Sequence, residues 1–347
     1  MNKRELLRQI GALAVASPAL FTRPAFADPS RDEILATVHP ELREIVRQNF
    51  AQWVGQPVTR TTLAAHRASS SVYNAIPGVP VEKRIVPGHR GQPDVTVYLI
   101  NARAGALRPA ILHTHGGGYV SGSAASSVAS LQLLCKELDC IAMSVEYRLA
   151  PETSFQGSVE DNYTALRSLY FNAESLGVDQ ARIAVMGESA GGGHAALLAI
   201  AARDRGEVPL CFQCLVYPML DDRTGTSRQT PWHVGRIIWT AEENRFGWES
   251  FLGIKPGSRH VSAGVPARVA NLAGLPPAWI GVGTLDLFVD EDIDFAQRLN
   301  HSGVPAQLVV VPQAYHGFDW APAPISQWFN AAKADALRRA FKQAAAR

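Results

Sequence analysis

The chain has 347 residues, of which 47% are hydrophobic and 18% charged, and its formal net charge at pH 7 is +2. This length and composition allow one large domain or two small ones with a well-buried core. The charge is nearly balanced and no block of Lys and Arg occurs, which argues against a nucleic-acid partner. No apolar run after residue 27 approaches the length of a bilayer span, which argues against stable membrane association.

The first 27 residues have the pattern of a secretory signal peptide. A basic start (MNKRELLRQ) precedes a short apolar run (IGALAVASPALF), and the A-x-A sequence at 25–27 is followed by Asp28. We therefore expect export to the periplasm or beyond, with the mature chain beginning near Asp28. An N-terminal amphipathic helix in a cytoplasmic protein is the alternative. The segment KRELL is similar to a twin-arginine signal with Lys3 in place of the first arginine, which leaves the export route open.

After this segment, apolar spacing predicts one helix over residues 31–50 and a second over 61–76. The pattern changes at 81–88, and from there strand-like and helix-like segments alternate. The predicted strands cover 94–102, 109–115, 140–147, 182–189, 210–218, 277–286 and 306–313. The predicted helices cover 126–138, 159–177, 194–206, 290–303 and 329–346. This alternation predicts an α/β fold with a mostly parallel sheet and helices on both faces.

One polar segment, residues 221–265, interrupts the alternation and contains five large aromatic side chains. It is too short for a separate domain of usual size. We therefore expect an insertion that packs over one end of the sheet, beside the N-terminal helices.

The four cysteines are at 135, 140, 211 and 214. Cys211 and Cys214 lie in one apolar run, where a strand would point them to opposite faces, so we expect buried free thiols there. No histidines accompany the cysteines at close spacing, so we predict no metal site. The state of the four thiols is otherwise left open.

Chemically active residue types follow four of the predicted strands. The run HGGG begins at His115, the turn GESAG contains Ser189, Asp286 ends the strand at 277–286, and His316 follows the strand at 306–313. Ligands of parallel sheets bind beyond the carboxyl ends of the strands, so we expect these residues to meet at one edge. The chain order of serine, acid and histidine is the one found in the α/β-hydrolase arrangement.

These residue types fit nucleophilic catalysis. A serine hydroxyl needs a base to take its proton, which predicts Ser189 as nucleophile and His316 as base. Asp286 would hold the histidine tautomer and stabilise its charged form. Asp290 and Glu291 compete for that role, but they open a helix and look like cap and dipole partners. A tetrahedral oxyanion needs fixed donors, and the candidates are the backbone amides of Gly117, Gly118 and Ala190.

Five segments together resemble the bacterial hormone-sensitive-lipase-type esterases of the α/β-hydrolase superfamily. They are HGGGYVSGS, VEYRLAPE, GESAGG, LPPAWIGVGTLDLFVDE and YHGF, and the resemblance covers about residues 75–345. It implies an α/β-hydrolase fold with an eight-stranded, mostly parallel sheet over residues 76–347. It also implies a helical cap built from residues 28–75 and 221–265. The sequence departs from the family pattern in having Glu188 where Asp is usual and Leu287 where Pro is more common.

Within VEYRLAPE we expect Glu146 and Arg148 to form a structural ion pair without a catalytic role. A dinucleotide site is disfavoured because GESAGGG lacks the G-x-G-x-x-G spacing. We therefore predict no cofactor, and a small-molecule ester as the partner. A monomer and a homodimer both remain open.

The leading hypothesis is a serine carboxylesterase that cleaves short- to medium-chain acyl esters through an acyl-enzyme. An amidase or peptidase using the same triad, and a non-catalytic ligand-binding protein on this fold, are the alternatives. Large aromatic residues of the cap and the glycine run would narrow the acyl channel and favour chains of about two to eight carbons. The predicted substrate-binding residues are Tyr119, Trp239, Phe246 and Trp248.

Overall fold

The computed structural model describes residues 29–54, 57–69, 75–259 and 263–346. An eight-stranded sheet lies at the centre, with the strand order β1-β2-β4-β3-β5-β6-β7-β8. Strand β2 runs antiparallel to both of its neighbours, and all pairs from β4 to β8 are parallel. This confirms the predicted mostly parallel sheet. The strands are β1 Val81–Val86, β2 Val95–Ile100, β3 Arg108–Thr114, β4 Ile141–Glu146, β5 Val178–Glu188, β6 Phe212–Val216, β7 Ala278–Gly283 and β8 Ala306–Val311.

Helices cover both faces of this sheet. The described helices are α1 Arg31–Thr37, α2 Pro40–Trp53, α3 Leu63–Ser69, α4 Val128–Leu138, α5 Phe155–Phe171, α6 Ala173–Leu176, α7 Ala190–Arg205, α8 Ala241–Leu252, α9 Val289–His301 and α10 Pro324–Ala345. Consecutive strand residues alternate between two cores: Ile111 belongs to the core that includes residues of α4 and α10, whereas Leu112 belongs to the core that includes residues of α5, α7 and α9. Both faces are therefore apolar, which explains the near-continuous hydrophobic strands of the sequence.

The helix predicted over residues 31–50 is in fact two helices. Helix α1 ends at Thr37, and Val38 and His39 adopt extended ψ angles of 139° and 135° before Pro40 opens α2. The ring of a proline disfavours helical geometry in the residue before it, so a single helix through His39 was the wrong prediction.

The insertion at 221–265 contains one described helix, α8, which begins with a capping box formed by Thr240 and Glu243. Among the residues that the structure describes, two hydrogen bonds join the insertion to the N-terminal segment. Val58 N donates to Glu243 Oε1 at 3.1 Å, and Ile238 N donates to Trp53 O at 2.9 Å. Helices α1 and α2 pack mainly into the core beneath α4 and α10, whereas Leu63 of α3 joins an aromatic cluster with the insertion.

The packing corrects the prediction that Cys211 and Cys214 point to opposite faces. Cys211 and Cys214 contact the same core rather than opposite faces, because β6 begins at Phe212 and Cys211 precedes it. Both are free thiols; Cys214 is buried and Cys211 half-buried. Within the described residues, no helix is long and apolar enough to cross a membrane.

Candidate active site

Ser189 lies on a sharp turn between β5 and α7. Its backbone has φ +58° and ψ −124°, a region that residues other than glycine rarely adopt. The turn is held by hydrogen bonds of 2.9 Å from Ser189 N to Val216 O and from Met219 N to Ser189 O. A Cβ on Gly191 would lie 2.6 Å from His115 O, so the next turn of chain has room only for glycine. The strained geometry and the glycines around it are those of a nucleophile elbow.

His316 and Asp286 meet this serine at the same edge of the sheet. His316 Nε2 lies 3.0 Å from Ser189 Oγ, and His316 Nδ1 lies 2.8 Å from Asp286 Oδ2. The second oxygen of Asp286 accepts a hydrogen bond of 3.0 Å from Phe288 N. Because the Asp286 carboxylate accepts a hydrogen bond from Nδ1–H, the neutral ring keeps its proton on Nδ1 and presents its lone pair at Nε2 to the serine hydroxyl. The arrangement can therefore deprotonate Ser189.

Asp290 and Glu291, the two other candidates for the acid of the triad, lie in different surroundings. Asp290 is exposed in the first turn of α9. Glu291 is buried and accepts hydrogen bonds from Leu220 N at 2.6 Å and Asp221 N at 3.1 Å. Burial raises the pKa of Glu291, with the nearby Asp221 adding to the shift. Glu291 therefore fixes the start of the insertion and does not contact His316.

Two aromatic rings enclose His316. Tyr217 and Phe288 approach it edge-on, with ring centroids at 4.7 and 5.3 Å. The Tyr217 hydroxyl donates to Asp319 Oδ1 at 2.6 Å, and Lys333 Nζ lies 3.8 Å from Asp319 Oδ2. The hydrogen bond to Asp319 fixes the Tyr217 ring, and the His316 imidazole packs between this ring and that of Phe288. Tyr217 was not among the residues predicted from the sequence, although it directly follows β6 at the edge where the other site residues lie.

A second polar network lies beneath the nucleophile. His113 Nε2 pairs with Glu188 Oε2 at 2.9 Å, and His113 Nδ1 pairs with Ser144 Oγ at 2.9 Å. Burial by itself would raise the pKa of Glu188, but the charge and hydrogen bond of His113 outweigh it and lower that pKa. Glu188, the departure from the usual Asp beside the nucleophile, is thereby tied to β3 and β4.

The glycine run after β3 lies against the nucleophile turn. A Cβ on Gly116 would be 3.0 Å from Glu188 O and 3.5 Å from Ser189 Cβ. Gly117 and Gly118 have φ values of +124° and +61°, and the Gly117 carbonyl is turned away into a tight turn, accepting from Ser121 N at 2.9 Å. Ala190 is the first residue of α7, where an amide has no intrahelical acceptor. Gly116 therefore lies against the nucleophile turn, Gly117 and Gly118 follow it directly in the chain, and Ala190 follows Ser189.

Two buried histidines pack near the glycine run, His115 at its start and His194 against Tyr119, which follows it. His115 stacks on Tyr147 at 4.1 Å, and its Nδ1 lies 2.8 Å from Gly116 O. His194 packs against Tyr119 and Tyr147, and neither of its ring nitrogens has a partner among the described residues. Burial lowers the pKa of His115 to about 4 and that of His194 to about 3. Both rings are therefore neutral near pH 7.

The four predicted substrate-binding residues occupy different environments. Trp239 lies beside the glycine run, with its Cζ2 only 2.7 Å from the position a Cβ on Gly118 would take. Tyr119 stacks on Phe251 at 3.8 Å and donates to Met219 O at 2.8 Å. Trp248 is fully buried against Tyr119, and Phe246 is half-buried at the edge of this aromatic cluster. Trp239 is the member of the set that directly contacts the glycine run.

The expected Glu146–Arg148 pair does not form. The guanidinium of Arg148 donates to Asp161, with Nη2 2.8 Å from Oδ1 and Nε 2.9 Å from Oδ2, whereas Glu146 accepts from Ala124 N at 2.9 Å. Side chains two residues apart on an extended chain point the same way, which is why a Glu146–Arg148 pair was expected. Arg148 instead binds the carboxylate of Asp161, which lies on α5. Among the described residues, no group of three or more His, Cys, Asp or Glu side chains could hold a metal ion.

Comparison with known proteins places this geometry among hydrolases. The sequence profile of a family described as alpha/beta hydrolase fold matches residues 111–319. Carboxylesterase NlhH of Mycobacterium tuberculosis is 32% identical over 307 residues, which cover 86% of this chain and 91% of that protein. Esterase LipI of the same organism is 34% identical over 218 residues, 61% of this chain and 66% of LipI. The solved structure of a bacterial heroin esterase superposes with a TM-score of 0.78 at 34% identity, covering 88% of this chain and 99% of that one.

Proposed function

The chain belongs to the hormone-sensitive-lipase-like family of the α/β-hydrolase fold, and from this membership we propose that it is a serine carboxylesterase acting on short- to medium-chain acyl esters. The observation that carries the proposal is the continuous path of hydrogen bonds from Ser189 Oγ through His316 to Asp286. The names of its relatives, esterase and carboxylesterase, support esters over amides as substrates.

In the acylation step, Ser189 Oγ attacks the ester carbonyl while His316 Nε2 takes the hydroxyl proton. Asp286 stabilises the imidazolium that results. The carbonyl oxygen becomes an oxyanion, to which the amides of Gly117, Gly118 and Ala190 donate. His316 returns the proton to the alcohol oxygen as the carbon–oxygen bond breaks, which leaves an acyl-enzyme and a free alcohol.

In the deacylation step, water replaces the alcohol. His316 takes a proton from the water as its oxygen attacks the acyl carbonyl, and then returns that proton to Ser189 Oγ. The carboxylic acid leaves and the serine is regenerated. Every proton transfer uses Nε2, so the fixed orientation of His316 between Tyr217 and Phe288 serves both steps.

Replacing the nucleophile tests the proposal. Ser189→Ala should lower kcat for p-nitrophenyl butyrate by about 10⁴-fold or more, because a triad acts as a unit. Ser158→Ala removes a comparably buried hydroxyl from α5 and serves as the matched control, with full activity expected. Thermal unfolding should show both variants folded. Near-normal turnover in folded Ser189→Ala would contradict the proposed mechanism.

We also propose that the protein is exported with residues 1–27 removed. The support is the basic, apolar and A-x-A order of the sequence, which lies outside the described residues. Intact mass of the protein recovered from its own bacterium should correspond to a chain that begins near Asp28. A cytosolic protein that retains residue 1 or 2 would contradict export.

A further inference from the structure

An exposed tryptophan, Trp320, lies four residues beyond His316 in sequence. His316 is followed by Gly317 and by a 3₁₀ turn, Phe318–Trp320, in which Phe318 and Asp319 are buried but Trp320 is 69% exposed. Ring atom Cζ3 of Trp320 lies 3.2 Å from the position that a Cβ on Gly317 would take. The indole therefore lies over the residue next to the catalytic base, with much of its surface free.

A strained residue of the insertion reaches the same point. Ile238 has φ +67°, an outlier for a β-branched side chain that costs about 1–3 kcal/mol. Its Cδ1 lies 3.7 Å from the same Cβ position on Gly317. The next residue, Trp239, instead contacts Gly118. Consecutive side chains of this strained segment thus contact two different parts of the site, Gly317 next to the histidine and Gly118 in the glycine run.

The chemistry distinguishes these two sides. The carbonyl oxygen of the substrate points to the glycine amides, whereas the alcohol oxygen must lie within reach of His316 Nε2 to receive its proton. The alcohol portion of an ester therefore leaves on the side of Gly317. The acyl portion extends away from it, on the side where Trp239 lies.

We propose that Trp320 and Ile238 form a subsite for the alcohol portion of the ester, and that this subsite favours flat aromatic alcohols. The inference rests on the proposed esterase function and adds a substrate class to it. An indole face with free surface can stack a phenyl ring in an offset or edge-to-face arrangement, which binds beyond simple burial of area. Ile238 supplies an apolar second contact beside it.

Paired acetates test the subsite, because they share the acyl-enzyme and differ only in the alcohol. Benzyl and ethyl acetate both release primary alcohols, so the ratio of their kcat/KM values measures the contribution of the phenyl ring of the alcohol. Trp320→Ala should lower this ratio about 5- to 10-fold, and Trp320→Phe should lower it less. Trp328→Ala is the matched control, since Trp328 is 53% exposed on α10, and it should leave the ratio within about twofold.

Cyclohexylmethyl acetate tests whether flatness matters. Wild-type protein should prefer benzyl acetate to it by about 2- to 10-fold, and Trp320→Ala should remove most of that preference. An unchanged benzyl-to-ethyl ratio in Trp320→Ala, or an equal fall in Trp328→Ala, would overturn the subsite. So would a shift of the acyl-length optimum in Trp320→Ala, which would put Trp320 on the acyl side. A wild-type protein that cleaves none of the three acetates would overturn the esterase function itself.

Discussion

The substitution Gly118→Ala isolates the contact between the glycine run and the insertion. At φ +61° a side chain costs about 1–2 kcal/mol in backbone strain. The new Cβ would lie 2.7 Å from Trp239 Cζ2 and 3.0 Å from Cζ3, whereas unstrained carbons are about 3.5–4.0 Å apart. The indole is buried and its Nε1 donates to Asn244 Oδ1 at 3.2 Å, so it cannot turn away freely. Overpacking of this kind adds about 1–3 kcal/mol.

The expected result is a combined loss of about 2–5 kcal/mol in the free energy of unfolding, measured by urea titration. The loop must also retreat, which displaces a proposed oxyanion donor and should lower kcat for p-nitrophenyl butyrate about 10²- to 10³-fold. Gly253→Ala is the matched control. Gly253 has φ +67° but nothing within 4 Å of a new Cβ, so it should show the strain cost alone and full activity.

A double variant separates the collision from the strain. If the clash with Trp239 is the cause, Gly118→Ala and Trp239→Ala together should cost less stability than the sum of the two single changes, by about 1–3 kcal/mol. Equal unfolding free energies for Gly118→Ala and Gly253→Ala, with kcat unchanged in both, would refute the assigned contact and the role of Gly118.

Asp286→Asn should lower kcat about 10³- to 10⁴-fold, because the amide favours the wrong tautomer of His316; a loss below tenfold in an ester assay would contradict this. Trp239→Ala should move the acyl-length optimum of p-nitrophenyl esters upward, whereas buried Trp248→Ala should lower stability without moving it. His194→Leu should reduce the acid sensitivity of folding. The pKa of His194 is lowered by burial from 6.5 to about 3, so the unfolded chain binds the extra proton and stability falls as pH drops through that window. Urea titrations at pH 7 and pH 4 should show the variant losing about 3 kcal/mol less than wild type.

Much of the candidate site was predictable because it depends on local pattern. The apolar run of β5, the GESAG turn and the helix after it fix the position of Ser189 by chain geometry alone. Asp286 and His316 follow strands of the same parallel sheet, whose carboxyl ends meet at one edge. Their contact could therefore be predicted although 30 residues separate them in sequence. Their roles as nucleophile, base and acid remain predictions until the variants are measured.

Two of the failures depend on how the elements pack or where they begin, which a local sequence pattern does not show. Arg148 pairs with Asp161 because α5 packs beside β4, and Cys211 and Cys214 share a core because β6 begins at Phe212, two residues later than the apolar run. The split of the first helix at Pro40 is different, since the proline was visible in the sequence and should have been given more weight.

The sequence by itself determined the order of strands and helices and the residue types available at the sheet edge, because periodicity and turn chemistry act over a few residues. Only the tertiary structure decided the supporting contacts. Tyr217 meets Asp319 across 102 residues and His113 meets Glu188 across 75, and no local pattern encodes such pairs. They arise when strands pair in the order β4-β3-β5-β6 and α10 closes over them, because side-chain contact is set by packing and not by distance along the chain.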